Sequence, residues 1–377
     1  LLKRVEDYKM EENQKEVTKS TILKHYLSSL LVYGIVLLFI SFCPAFRENV
    51  GDNGFNYITF FVIYYICYAF FALPIFFKTK PVSILNSKNV AILEYVKKQF
   101  TKTSTPEERL KVLEPNEFEK QSMVELFVKS FFGVYCINLI CTKYLPTFDY
   151  NISFLKEMFS QAITYAASGQ GLFMGLIQYI DDTSDMWLTL IFMLTIIIFA
   201  ISYLSDLNLF RNKIKSVDTT PLGIISCIIC FYPFTILTNA LVKSYTEGSI
   251  PVENLALRII LDVISVVANL VILISVARLG TKSGNLTNRG IVKGFPYNIV
   301  RHPNYIMQVV YIIATTIPIY FVSDLSVLGK IVLTFGMFAW ILIFYLRAIT
   351  EERHLLKDSE YQKYTEEVKY RFIPNLF

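Results

Sequence analysis

Apolar runs recur along the chain between segments dense in charge, and each run is long enough to cross a bilayer as a helix, which takes roughly 20 apolar residues. They fall near 26–46, 55–77, 124–142, 186–204, 221–242, 255–277, 303–322 and 326–348. The third is interrupted by Glu125 and Lys129. Between the runs, the charged stretch from Lys78 to Lys120 predicts amphipathic helices on the inner membrane surface. The segment from Asn151 to Ile180, which contains Ser168-Gly169-Gln170-Gly171, is too long for a simple turn and predicts an ordered surface or re-entrant element. Its Gly171 and Gly175 lie one helical turn apart, a spacing that lets helices approach closely. The expected fold is all-α: a polytopic helical membrane protein of about eight transmembrane helices with amphipathic surface helices.

Composition agrees with that pattern. Hydrophobic residues make up 54% of the 377, aromatic residues 15% and charged residues only 18%, and mean hydropathy is +0.45. These values exclude an ordinary soluble protein. With eight spans, alternation puts the N-terminal arm, the 78–123, 205–220 and 278–302 loops and the C-terminal tail on one side. All Lys and Arg fall there except Arg47, Lys129, Lys143, Lys156, Lys243, Arg258 and Lys330, with Arg347 at the inner end of the last run. Positive charge collects on the cytoplasmic side, or on the matrix side in mitochondria, so both termini are expected inside. An endoplasmic reticulum or mitochondrial inner membrane location fits this bias. The net charge of +5 then reflects topology and attraction to anionic lipid, and nucleic acid is not an expected partner.

Other motifs carry less. The six cysteines lie in or beside apolar runs, which points to buried packing rather than redox or metal chemistry. Gly169-Gln170-Gly171 lacks a preceding strand and a correctly placed third glycine, so it is not a dinucleotide fingerprint. Asp181, Asp182 and Asp185 are expected to form a solvated patch flanking a span, and no metal site is expected. Asn151-Ile-Ser153 and Asn285-Leu-Thr287 are formal glycosylation acceptors.

The chemistry lies in the last third. The chain divides into an N-terminal membrane region, 1–250, and a C-terminal region, 251–377. In Arg301-His302-Pro303-Asn304-Tyr305, Pro303 fits the first position of a helix, where its missing N–H is not needed, and keeps His302 out of the helical conformation. His302 is thereby presented at a helix N-terminus, where free N–H groups attract anions, and Arg301 adds a forked cation suited to carboxylate or phosphate. Glu351 and Glu352 end the last span at the same face. Adjacent helical residues point about 100° apart, so one glutamate is expected to face the site and the other to meet solvent or a basic residue such as Arg347. Ionisable groups at a membrane boundary are costly unless paired or used.

These residues, with Phe295-Pro296-Tyr297 before them and Tyr361-Gln-Lys-Tyr364 and Arg371-Phe-Ile-Pro374 after them, resemble the C-terminal signature of the isoprenylcysteine carboxyl methyltransferase and phospholipid methyltransferase superfamily. Arg278-Leu279-Gly280 is similar to the family's approach to the loop. The resemblance covers about the last third of the chain. It implies S-adenosylmethionine-dependent methyl transfer to a lipid or lipidated acceptor, an isoprenylcysteine carboxylate or a phospholipid amine. It also implies a membrane-embedded pocket closed by the 278–302 loop and the C-terminal tail. Carried onto this chain, His302, Tyr305 and Glu352 would be catalytic, and Tyr297, Arg301, His302, Pro303, Tyr305, Glu351 and Glu352 would bind the cofactor. Three positions depart from the family pattern, which usually has a glycine, a basic residue and a glycine where Phe295, Asn298 and Met307 stand. Phe and Met side chains there would fill space a cofactor needs. The alternative is a catalytically degenerate family member, serving as an accessory subunit of a larger membrane complex such as a mitochondrial respiratory assembly, with no cofactor or with a bound phospholipid. Its extra N-terminal spans favour that reading. Membrane lipids and other membrane subunits are the expected partners.

Overall fold

The computed structural model describes residues 17–43, 56–101, 105–205, 212–236, 252–322 and 326–376. The N-terminal arm up to residue 16, Arg47, Lys243 and the last six residues, 237–242, of the span expected at 221–242 lie outside the described residues. The chain forms two compact units, Leu1–Ser130 and Phe131–Phe377. Among the described residues, six helices are long and apolar enough to cross a membrane, and the only strands are two two-residue segments.

In the first unit, α1 (Lys19–Phe42) and α2 (Tyr57–Thr79) are long apolar helices, capped by Thr18 and Asn56. They are tied by Tyr26 Oη donating to the Ala69 carbonyl at 2.6 Å and Tyr65 Oη donating to that of Leu30 at 3.1 Å. The charged stretch forms two short helices, α3 (Lys88–Gln99) and α4 (Pro106–Leu113), before α5 (Glu117–Leu139). Glu125, the acidic interruption in the third run, is buried but paired with Lys88 and with Lys129, the latter at 2.8 Å one helical turn away. A paired carboxylate is tolerated there where an isolated one would be expelled.

The division between the units falls within α5. Beyond it, the helix continues through a wide turn at Ile140–Tyr144 into α6 (Leu145–Tyr165), so the segment expected to be a surface or re-entrant element is mostly regular helix. Gly169 (φ 97°) and Gly171 (φ 86°) turn the chain back, using backbone that other residues rarely adopt. It enters α7 (Leu172–Leu204), whose 33 residues rise about 50 Å, well beyond the roughly 30 Å hydrocarbon. The Gly175 reading holds as close packing: a β-carbon there would sit 2.7 Å from the Ala162 carbonyl oxygen and 2.9 Å from Ala166 Cβ. Gly175→Ala is therefore expected to push α6 from α7 and cost about 1–3 kcal/mol, measurable as a lower Tm in detergent.

Two expected spans are broken within the described residues. The run at 221–242 starts as α8 (Pro221–Ile228) and then turns. The run at 303–322 becomes α10 (Pro303–Thr316), 14 residues long, followed by α11 (Ile319–Val322). Buried Pro318 separates them, since proline removes a helical N–H and clashes with the preceding turn. Hydropathy counts apolar residues across such a break without registering it. The full-length helices here are α7, α9 (Leu255–Leu279) and α12 (Val327–Leu355). α9 packs between α7 and α10, and α12 packs on α8 and α10. A final helix, α13 (Ser359–Glu367), closes the chain.

Candidate functional site

The loop from Gly280 to His302 and the C-terminal tail form one polar layer at the ends of α7, α9 and α12. Strand β1 (Ser216–Val217) pairs antiparallel with β2 (Thr287–Asn288). Ser202 on α7 donates to the Thr281 carbonyl at 3.0 Å, and the Tyr203 hydroxyl accepts from the Asn285 N–H at 2.8 Å. The motif itself is held by the tail: the N–H groups of Arg301 and His302 donate to the carbonyls of Tyr370 and Arg371, both at 2.9 Å. His302 stands immediately before α10 with φ −124° and ψ 58°, and Pro303 is the first helical residue. No side chain caps this N-terminus.

Of the two glutamates, Glu352 meets basic residues, Arg301 and Arg371 rather than Arg347, and Glu351 pairs with Tyr305. Glu352 is the hub of an ion-pair network. One oxygen accepts from Arg301 Nε at 2.6 Å and contacts His302 Nε2 at 3.2 Å; the other accepts from Arg371 Nε at 2.7 Å. Arg301 Nη1 further donates to the Val368 and Lys369 carbonyls at 2.8 and 2.7 Å. Glu351 accepts the Tyr305 hydroxyl at 2.6 Å. The Tyr305 ring stacks on His302 with centroids 5.5 Å apart, and the Arg347 guanidinium lies 5.0 Å from the centre of its face. Arg347, four residues before Glu351 and so on the same helical face, donates to Asn285 Oδ1 at 2.8 Å.

The tail is also fastened by Asp358, which accepts from Asn288 Nδ2 at 3.0 Å and from Lys215 Nζ at 3.1 Å. Burial alone would raise the Asp358 carboxyl, but the hydrogen bonds from Asn288 and the Glu360 N–H and the Lys215 ammonium bring it below the usual carboxylate range. A depressed folded value means its stabilisation is fully present above the unfolded value of about 3.9 and is lost as pH falls through the lower folded value. Hydrogen exchange across residues 287–288 is therefore expected to be equally protected at neutral pH and near pH 5, with protection falling only in stronger acid. A loss centred near pH 6 would assign the fastening to another group.

Beneath this layer lies a cavity of about 770 Å³ within the second unit, inside the range of roughly 300–1,000 Å³ typical of ligand pockets. Tyr297, Arg301, His302, Pro303, Tyr305 and Glu351 all line it, as do Arg289, Arg347, Tyr361 and Tyr364; Glu352 does not. Phe295 is exposed, and neither it nor Met307 is among the lining residues. Asn298 is exposed as well. The glycine-like backbone missing at Phe295 is supplied one residue earlier by Gly294, at φ 131°, where a β-carbon would collide with the Arg278 guanidinium. From the motif the cavity passes Phe199, Ile272 and Trp340 and reaches Asp185 and Asp262 at its other end.

Of the aspartates expected to be solvated, all of which lie within α7, Asp182 is exposed while Asp181 and Asp185 are half-buried. Asp181 forms a two-pronged pair with Arg258 of α9, at 2.5 and 2.6 Å, because helix packing brings these elements together. Sequence reasoning missed Asp262 altogether, although a carboxylate in an otherwise apolar helix was a legible signal. It noted Arg258 only as a charge inside a span. Asn285 was read only as a formal glycosylation acceptor, and Arg289 was missed; both act through tertiary contacts that spacing does not encode. Among the described residues, no group of three His, Cys, Asp or Glu could hold a metal ion.

No curated protein and no solved structure matches the chain significantly. Residues 254–362 match the family model described as phospholipid methyltransferase. They run from the start of α9 into α13 and contain the motif, both glutamates and most of the polar layer. The chain is thus a helical protein with membrane-spanning character whose residues 254–362 are similar to the phospholipid methyltransferase family.

Proposed function

We propose that this protein transfers a methyl group from S-adenosylmethionine to a lipid or lipidated acceptor, either a phospholipid amine or an isoprenylcysteine carboxylate. The observation that carries this reading is the cavity against His302, Tyr305 and Glu351, which Phe295 and Met307 leave clear. The residues present suit the cofactor. The uncapped first turn of α10 and the guanidinium of Arg289, which lines the same cavity, favour its carboxylate, while the Glu351 carboxylate favours its sulfonium. Tyr297, Arg301, His302 and Pro303 would complete the pocket wall.

When bound, the cofactor supplies an electrophilic methyl group. The chain's task is then mostly positioning, which is worth several orders of magnitude in rate. A carboxylate acceptor needs no base. A lipid ammonium must first lose a proton, and Glu351, hydrogen-bonded to the Tyr305 hydroxyl, is the carboxylate on the cavity wall at this end that would take it. Glu352, committed to Arg301, His302 and Arg371, is a positioning residue in this reading, in place of the direct role the family resemblance implies for it. Both termini would face the cytoplasm or matrix.

Incubating the purified protein with methyl-labelled S-adenosylmethionine in vesicles containing amine phospholipid, and separately with a prenylated cysteine, tests the proposal. Label entering either acceptor supports it and names the class; label entering neither overturns it. One observation favours the accessory-subunit reading: the Arg301, His302 and Glu352 cluster is mutually satisfied, as a purely structural network would be. That reading expects copurification at fixed stoichiometry with other membrane subunits and no methyl transfer.

A further inference from the structure

The end of the cavity away from the motif carries its own chemistry. Asp262, on α9, is 2% exposed and Ser265, one turn on, is fully buried; among the described residues, Asp262 Oδ2 and Ser265 Oγ have no hydrogen-bond partner. Both line the cavity, together with Asp185. Leu261 packs in one cluster with Ala314, eleven residues beyond Pro303 and so about 16 Å along α10. This end is therefore separate from the Tyr305–Glu351 pair.

Charge at this end is unbalanced. Arg258, the nearest guanidinium on α9, is already committed to Asp181 and to the Val252 carbonyl, and Asp182 accepts from Gln178. Asp185 and Asp262 then face Lys143 as the one cation lining this part of the wall among the described residues. Asp262 Oδ2 is buried and unpaired, which is costly for a carboxylate, and a cationic ligand would relieve that cost.

We propose that this end of the cavity is a binding subsite for the alkylammonium head of an amphiphile, seated between Asp185 and Asp262. Aromatic rings specify the class. Tyr311 is an electrostatic neighbour of Asp185, and Tyr144 and Phe192, with ring centroids 6.4 Å apart, line the same region. Carboxylates beside aromatic faces recognise alkylated ammonium groups, whereas a hard metal ion calls for six or more oxygen ligands. The apolar wall at Phe199, Ile272 and Trp340 gives the alkyl chain a path from this end toward the motif. The subsite follows from the cavity and its charges alone, and it stands whether or not the motif transfers methyl groups.

Calorimetry of the full-length protein in neutral detergent with octyltrimethylammonium tests the proposal, with octyl glucoside as uncharged control. Saturable binding of the cation is expected, weakened by at least about tenfold in each of Asp262→Asn and Asp185→Asn, the lower bound for losing one desolvated charge contact. Binding of S-adenosylmethionine should be unchanged in both variants. Asp185→Asn decides the matter if Asp262→Asn does not fold. The proposal is overturned if the cation does not bind, if the folded variants bind it as the parent does, if octyl glucoside competes equally, or if sodium or calcium at equal concentration displaces it.

Discussion

Replacing Glu352 by glutamine is expected to lower thermal stability more than any other single change at the site. The carboxylate is 4% exposed and takes Arg301 and Arg371 on its two oxygens, with His302 alongside. Glutamine keeps the shape but leaves the Arg301 guanidinium, itself only 8% exposed, without a counter-charge. Removing one partner of a buried pair typically costs about 3–5 kcal/mol, which in a unit of this size corresponds to roughly 10 °C in Tm. The loss should be concentrated where the motif meets the tail, so proteolysis after Tyr370 should accelerate before the helical spans unfold. A Tm within about 2 °C of the parent, less than one kcal/mol in such a unit, would show that the arginines find other partners and that the network is not what closes the site.

Tyr305→Phe and Glu351→Gln are expected to do the opposite, sparing the fold while removing activity. The pair lies on the cavity wall, joined by a 2.6 Å hydrogen bond, and neither residue belongs to the Glu352 network. If Glu351 accepts the proton of a lipid ammonium, its loss should reduce methyl transfer by roughly 10²–10⁴-fold, the usual contribution of a positioned base, with Tm little changed. A carboxylate acceptor separates the two duties of this residue: without a proton to remove, Glu351→Gln should act through cofactor affinity and leave the rate at saturation nearly intact. Equal losses with both acceptor classes would remove the base from the account and leave a binding role.

The contrast between the two glutamates marks where the sequence was readable. The long apolar helices were legible because hydrocarbon imposes a length that hydropathy records directly. The motif was legible because Pro303, after a polar loop and before an apolar run, is pre-organised for the first position of a helix, and Glu351-Glu352 because charge at a span's end demands partners. Which glutamate serves which duty was not. That depends on Arg371 and the tail carbonyls, some twenty residues later, folding back onto Arg301. The break at Pro318 was visible as a residue but outweighed by the apolar count around it. The helical form of the α6–α7 hairpin was not legible because Gly169 and Gly171 read as loop, while the residues on either side have ordinary helical character. The Asp181–Arg258 pair needed two helices far apart in sequence to lie side by side, a fact of packing that no local pattern carries.

The central claim is that the space between His302, Tyr305 and Glu351 holds S-adenosylmethionine. Equilibrium binding of the cofactor to the purified full-length protein tests it most directly. Saturable binding at one site is expected at micromolar to submillimolar concentration, weakened in Glu351→Gln and retained in Asp185→Asn. No binding by the folded protein at millimolar cofactor would contradict the account.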